Sequence, residues 1–233
     1  MPAFSLSTKV GFFPAGAGSE HSLDPARLRC AVYQSVDDLG LGPDLIFLHS
    51  PERSLAKLTP VEAHDRLTTA CSVLVDAKAS RMCGSWGIAS WDVVPLLSAL
   101  ETDDESLVPP PDVVMVRAGL SVDDAGLGAS EAVAARLGVD RARLWGMSPF
   151  GGSTTDEVWR VASIRSLLRP GQHCSNMQAA FRAAYELPQV HHMAVGTRSA
   201  EHLSELVAAT TLGIDDHALS RYRGLISTAA SSP

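Results

Sequence analysis

Short apolar runs alternate along the chain with longer stretches whose apolar residues recur at helical spacing. The two periods differ because side chains repeat every two residues on a strand and about every 3.6 on a helix. The runs at 4–13, 44–49 (DLIFLH), 83–89, 112–117, 143–147 and 191–195 read as strands. Between them, 24–39 places Leu28, Ala31, Val32, Val36 and Leu39 on one side of a helix. A second helix is expected over 59–79, where Thr59 can cap and Pro60 suits the first turn. Further helices are expected over 91–100, 129–137, 155–168, 175–187, 201–212 and 215–226.

Six apolar strands, each set between helices, indicate a parallel sheet covered on both faces. An open doubly wound sheet and a (β/α) barrel both satisfy that pattern, and periodicity does not separate them. At 233 residues the chain suits a single domain over 1–233. The net charge of −7, without any run of lysine or arginine, argues against nucleic acid and anionic membrane as partners. No stretch approaches the ~20 apolar residues of a membrane helix. Residues 1–9 lack the basic segment and apolar core of a secretion signal. Cys30, Cys71, Cys83 and Cys174 are scattered, which suits a reduced, cytoplasmic protein.

The segments STKVG at 7–11, DLIFLHSP at 44–51 and SPFGGS at 148–153, in that order, resemble motifs of the aldo/keto reductase superfamily. Ser7-Thr8-Lys9-Val10-Gly11 resembles the strand that delivers that family's catalytic lysine. Residues 28–40 (LRCAVYQSVDDLG) and 44–51 (DLIFLHSP) resemble the helix and strand that lead to its catalytic histidine, here His49. GIASW at 87–91 stands where the family has a Gly-Val-Ser-Asn-Phe-like run. SPFGGS at 148–153 and VGTRSAEHL at 195–203 resemble the segments that hold the cofactor phosphates. Each motif is weak alone, but their order and spacing agree over 4–212. The resemblance implies an α/β fold, an incomplete TIM-type (β/α) barrel that lacks the first two βα units. In the family those units carry an aspartate and the tyrosine that protonates the substrate.

On this reading Lys9 and His49 are the catalytic pair, without their two family partners. Tyr33, Tyr185 and Tyr222 lie in helical segments and match none of the family's active positions. Ala89, Ser90, Met115 and Met147 replace the nicotinamide-binding residues, and methionine offers no donor to an amide. Trp86, Ser90, Trp91, Met115 and Met147 are expected to line a substrate pocket. Ser148, Gly151, Gly152, Ser153, Gly196, Thr197, Arg198 and Ser199 can supply amides, hydroxyls and a guanidinium to phosphates.

No metal is expected: strand alternation separates His191 from His192. No GxSxG accompanies Ser85, Ser90 and His49, so a hydrolase triad is not indicated. Asp103-Asp104-Glu105 falls in a Pro-rich loop and is expected to be solvated. The implied function is acid/base chemistry (dehydration, cyclisation or isomerisation) on a carbonyl- or imine-containing small molecule, with hydride transfer lost and no cofactor. The alternatives are an NADPH-dependent carbonyl reductase and a non-catalytic reductase-fold subunit. The open barrel edges suggest a homo-oligomer, or helices folded over the gap.

Overall fold

The structure, a computed structural model, describes residues 4–102, 107–161 and 163–230. The acidic segment Asp103-Asp104-Glu105 lies outside the described residues. In chain order the elements are β1 (Ser7–Val10), β2 (Phe12–Ala15), β3 (Gly18–His21), α1 (Pro25–Leu39), β4 (Leu45–His49), α2 (Glu52–Leu55), α3 (Pro60–Ala79), β5 (Ser85–Ser90), α4 (Val94–Leu100), β6 (Val113–Arg117), α5 (Asp124–Arg136), β7 (Leu144–Met147), α6 (Val158–Val161), α7 (Asn176–Ala184), β8 (His192–Ala194), α8 (Ala200–Ala209) and α9 (Asp216–Ala230). The described residues fall into two compact units. One reaches up to Val116 and includes Ala132–Arg143; the other comprises Arg117–Glu131 and the chain from Leu144 onward.

In the first unit β1, β4, β5 and β6 run parallel in that order. Register fixes two faces, because side chains alternate along each strand. Lys9 lies beside Phe47 and Phe47 beside Gly87, while His49 lies beside Ala89 and Ala89 beside Met115. These residues therefore share one face. Val10, Ile46, Leu48, Trp86, Ile88, Ser90, Val114 and Val116 occupy the other.

The first unit's helices start where local chemistry dictates. Asp24 accepts a hydrogen bond from Arg27 N at 2.9 Å, Pro25 follows in the first turn, and Gly40 closes α1 in the left-handed conformation. Thr59 and Glu62 form a reciprocal capping box at α3.

The stretch 4–13 is not one strand. Gly11 ends β1 at φ 129°, and β2 and β3 follow as an antiparallel hairpin around Gly16-Ala17. A Cβ at Gly11 would lie 3.1 Å from the His49 carbonyl oxygen, so backbone approach as well as φ calls for glycine.

In the second unit β7 and β8 are parallel. Its core gathers Trp159, Ile164, Leu167, Ala180 and Ile214, and the Tyr222 hydroxyl of α9 donates to Leu120 O at 2.9 Å. The long helix expected over 155–168 is replaced by the short α6 and a 3-10 turn at Ile164–Leu167. Trp159 there donates its indole N–H to Ser153 O, and Asn176 bonds the Trp159 carbonyl, so side chains and loop backbone take bonds a helix would make. With six parallel strands, four in the first unit and two in the second, the architecture is α/β, that of an incomplete TIM-type (β/α) barrel.

Candidate functional site

Four buried residues carry β4 through the first unit, and the strand ends on the partly buried His49. Ser50 then turns at φ 50°, and its amide donates to Ala89 O at 2.6 Å. The Phe12 ring meets the His49 ring edge-on at 4.8 Å between centroids and the His21 ring at 5.1 Å. His21 Nε2 lies 2.8 Å from the His49 carbonyl oxygen, and Nδ1 lies 2.8 Å from Ser54 Oγ.

Burial lowers the His49 pKa from 6.5 to about 4, assisted by the positive charges of Lys9, His21 and Arg53. His49 is therefore neutral at pH 7. It can act as a hydrogen-bond donor or base there, and as an acid only with a proton it has first taken up. The His21 pKa is lowered too, first by burial and also by Arg53 and Lys57, against opposing effects of its bond to His49 and of Glu52.

Lys9 is exposed, shares the face of His49 on the neighbouring strand, and has no carboxylate partner among the described residues. Ala89 and Met115 continue the His49 row and are buried; neither side chain carries an N–H or O–H to offer a ligand.

Three of the expected pocket residues sit elsewhere than their motif suggests. Trp86 is 2% exposed on the face opposite His49, where it belongs to the core. Ser90 is fully buried on that same opposite face, and its hydroxyl donates to Glu52 Oε2 at 2.9 Å. Trp91 follows the strand and is 45% exposed. Its amide donates to Glu52 Oε1 at 3.0 Å. Glu52, only 6% exposed, thus holds the end of β5 through a carboxylate shared between a hydroxyl and backbone amides.

The second unit holds a separate cavity of about 530 Å³. Of the residues expected to contact phosphates, Ser148, Gly152, Ser153, Gly196 and Thr197 line it, together with His202, which lies in the 195–203 motif without an assigned role, and Glu205, which lies outside every motif. Ser148, Gly151 and Gly152 turn the loop through positive φ values of 55°, 68° and 98°. Ser199 caps α8 by accepting from His202 N, and Thr197 Oγ1 accepts from Ser199 N, so these two hydroxyls shape the turn. Arg198 is exposed and does not line the cavity. Met147 ends β7 beside Ala194, a cavity-lining residue.

His191 and His192 are both exposed, with ring centroids 4.7 Å apart, so alternation does not part them: His191 precedes β8 and is free of its pleat. No group of three or more metal-ligating side chains forms among the described residues.

No protein-family model matches the chain, and no curated protein does. Solved structures match well. An assigned aldo-keto reductase of Pseudomonas aeruginosa is 20% identical with a TM-score of 0.57, over 87% of this chain and 65% of that one. The holo form of aldo-keto reductase AKR11C1 from Bacillus halodurans is 16% identical with a TM-score of 0.65, over 95% of this chain and 72% of that one. Aldo-keto reductase AKR2E5 complexed with NADPH is 15% identical with a TM-score of 0.61, over 94% and 62%. This chain therefore has the aldo-keto reductase fold. It spans about two thirds of the length of the Pseudomonas protein (65%).

Proposed function

We propose that the chain acts on a carbonyl- or imine-containing small molecule by proton transfer, as in dehydration, cyclisation or isomerisation. One observation carries this reading. Lys9 and His49 stand on one sheet face at the C-terminal ends of adjacent strands, and the next positions along the row are the donor-free Ala89 and Met115. The strand C-terminal ends are the functional face of barrel enzymes. Neutral His49 takes a proton from the carbon beside the carbonyl. The electron pair moves onto oxygen opposite the Lys9 ammonium, and the imidazolium returns the proton at another position, so the charge balances.

A second reading, an NADPH-dependent carbonyl reductase, is favoured by the second unit's cavity. Its glycine turns let backbone amides approach phosphate, and Gly152 and Gly196 have nothing within 4 Å of a Cβ position. The expectation of no cofactor gains no support, since similar structures include a holo form and an NADPH complex. NADPH would supply a hydride; Ser148, Gly152, Ser153, Gly196 and Thr197 would hold its phosphates. Tryptophan fluorescence during NADPH titration separates the two. Saturation with a Kd on the order of 1 µM supports the reductase, and no response on the order of 1 mM retires it. A His49→Ala variant with undiminished turnover would remove that residue from either reaction.

Small-molecule partners alone fit both readings, and among the described residues no helix is long and apolar enough to cross a membrane. Among the described residues β1 has β4 as its single strand neighbour, and this open edge supports a homo-oligomer that pairs across it. Light scattering that gives a monomer mass, with freely exchanging β1 amides, would exclude it. Free Cys30, Cys71, Cys83 and Cys174 support a reducing, cytoplasmic setting.

A further inference from the structure

We propose that a second cleft in the first unit, over α2 and the start of α3, binds a phosphate-bearing small molecule. The cavity measures about 690 Å³, and its lining includes Arg53, Lys57, Arg66, Glu20, His21 and Ser54. Arg53 and Lys57 lie one turn apart on α2 and the turn after it, and Arg66 projects from α3.

The charge balance of this lining is one-sided. Three cations stand against one carboxylate, Glu20, and that carboxylate is already paired with Arg27 at 2.6 Å. None of Arg53, Lys57 and Arg66 has a carboxylate partner among the described residues. The nearby Glu62 is committed to Thr59, whose amide and hydroxyl it binds at 2.9 and 2.7 Å. Like charges one turn apart destabilise a helical segment. In a chain of net charge −7, three such cations around one concavity are unexpected unless an anion offsets them.

The two guanidinium groups present planar donor forks, and the ammonium adds a point charge. That combination suits a multiply charged tetrahedral oxyanion better than a single carboxylate. The cleft has room for an organic portion attached to the phosphate.

His21 gives the cleft a reporter. Its ring bonds Ser54 of α2 and the His49 carbonyl at the end of β4, and it feels the charges of Glu52, Arg53 and Lys57. Burial is the main cause of the lowered His21 pKa, and Arg53 and Lys57 add to it; a bound dianion opposes those two cations, so that pKa rises on binding. This inference stands apart from the roles assigned to His49 and to the second unit's cavity.

The test uses the full chain and inorganic phosphate at constant ionic strength, read by isothermal titration and by the His21 imidazole NMR signals. The expected result is saturable binding with a Kd on the order of 1 mM, a raised His21 pKa, and at least about tenfold weakening in Lys57→Gln/Arg66→Gln. Acetate at the same concentrations should leave the signals unmoved. Both substituted side chains are exposed. If the double variant does not fold by circular dichroism, Arg66→Gln alone is read and should weaken binding in the same direction. A linear, unsaturated response, equal binding by folded variant and parent, or acetate matching phosphate would each overturn the proposal.

Discussion

His21 and His49 are joined ring to backbone: His21 Nε2 donates to the His49 carbonyl oxygen at 2.8 Å. A carbonyl only accepts, so this bond fixes the tautomer of neutral His21, and Nδ1 then accepts from Ser54 Oγ. One imidazole thus latches the β2–β3 hairpin to both β4 and α2. In a His21→Ala variant both bonds are lost. We expect a stability loss of about 1–3 kcal/mol by urea unfolding, with faster amide exchange across β2 and β3. Exchange unchanged from the parent would show that Phe12 packing, not His21, fastens the hairpin.

The titration of His49 has a definite sign. Its folded pKa is depressed from 6.5 to about 4, so the unfolded chain binds this proton more readily than the folded one. The associated stability is present above pH 6.5 and is lost as pH falls through about 4. NMR should find the His49 inflection near 4, and His49→Gln should flatten the acid limb of the stability curve. Because Lys9 contributes to the depression, Lys9→Met should move the inflection upward. An inflection that stays put would mean that Lys9 adds nothing to the effect of burial, His21 and Arg53.

Sequence pattern revealed the parallel α/β architecture because its strands are apolar on both faces, as in LIFLH of β4. The same property hid the phase of each strand. Without a polar face to mark alternation, Trp86 and Ser90 read as pocket-lining residues, although register turns them to the face opposite His49. The hairpin was hidden as well, since Phe12 and Phe13 prolong the apolar run of β1 and only the backbone of Gly11 breaks it. Glu52 carried no local signal: in His-Ser-Pro-Glu it looks like a surface residue, and its partner Ser90 is 38 positions away. Thr59 and Pro60 were legible because a helix start is local chemistry, and Glu62 completes the capping box in the structure.

Glu52 is buried and bonds the Ser90 hydroxyl and the Trp91 amide, so its loss deprives a part-buried amide of its acceptor and leaves the buried Ser90 hydroxyl with Asp92 O alone. Glu52→Ala should cost about 2–5 kcal/mol and shift Trp91 emission to longer wavelength as the loop loosens. Glu52→Gln keeps one acceptor oxygen and should cost less. Equal losses for the two variants would point to packing rather than to the carboxylate.

Gly87 marks the tightest approach in the first unit's sheet. A Cβ there would lie 2.5 Å from the Val113 carbonyl oxygen and 2.9 Å from the Phe47 ring. Phe47 is fully buried beside it, in register on the neighbouring strand. The ring contact can be relieved by a smaller side chain; the backbone contact cannot. Gly87→Ala should therefore destabilise the protein by about 1–3 kcal/mol. Phe47→Leu in the same chain should recover only part of that loss, even though it removes the ring. Full recovery in the double variant, measured as a thermodynamic cycle by urea unfolding, would show that the ring alone excludes a side chain at Gly87 and that the strand backbone can yield.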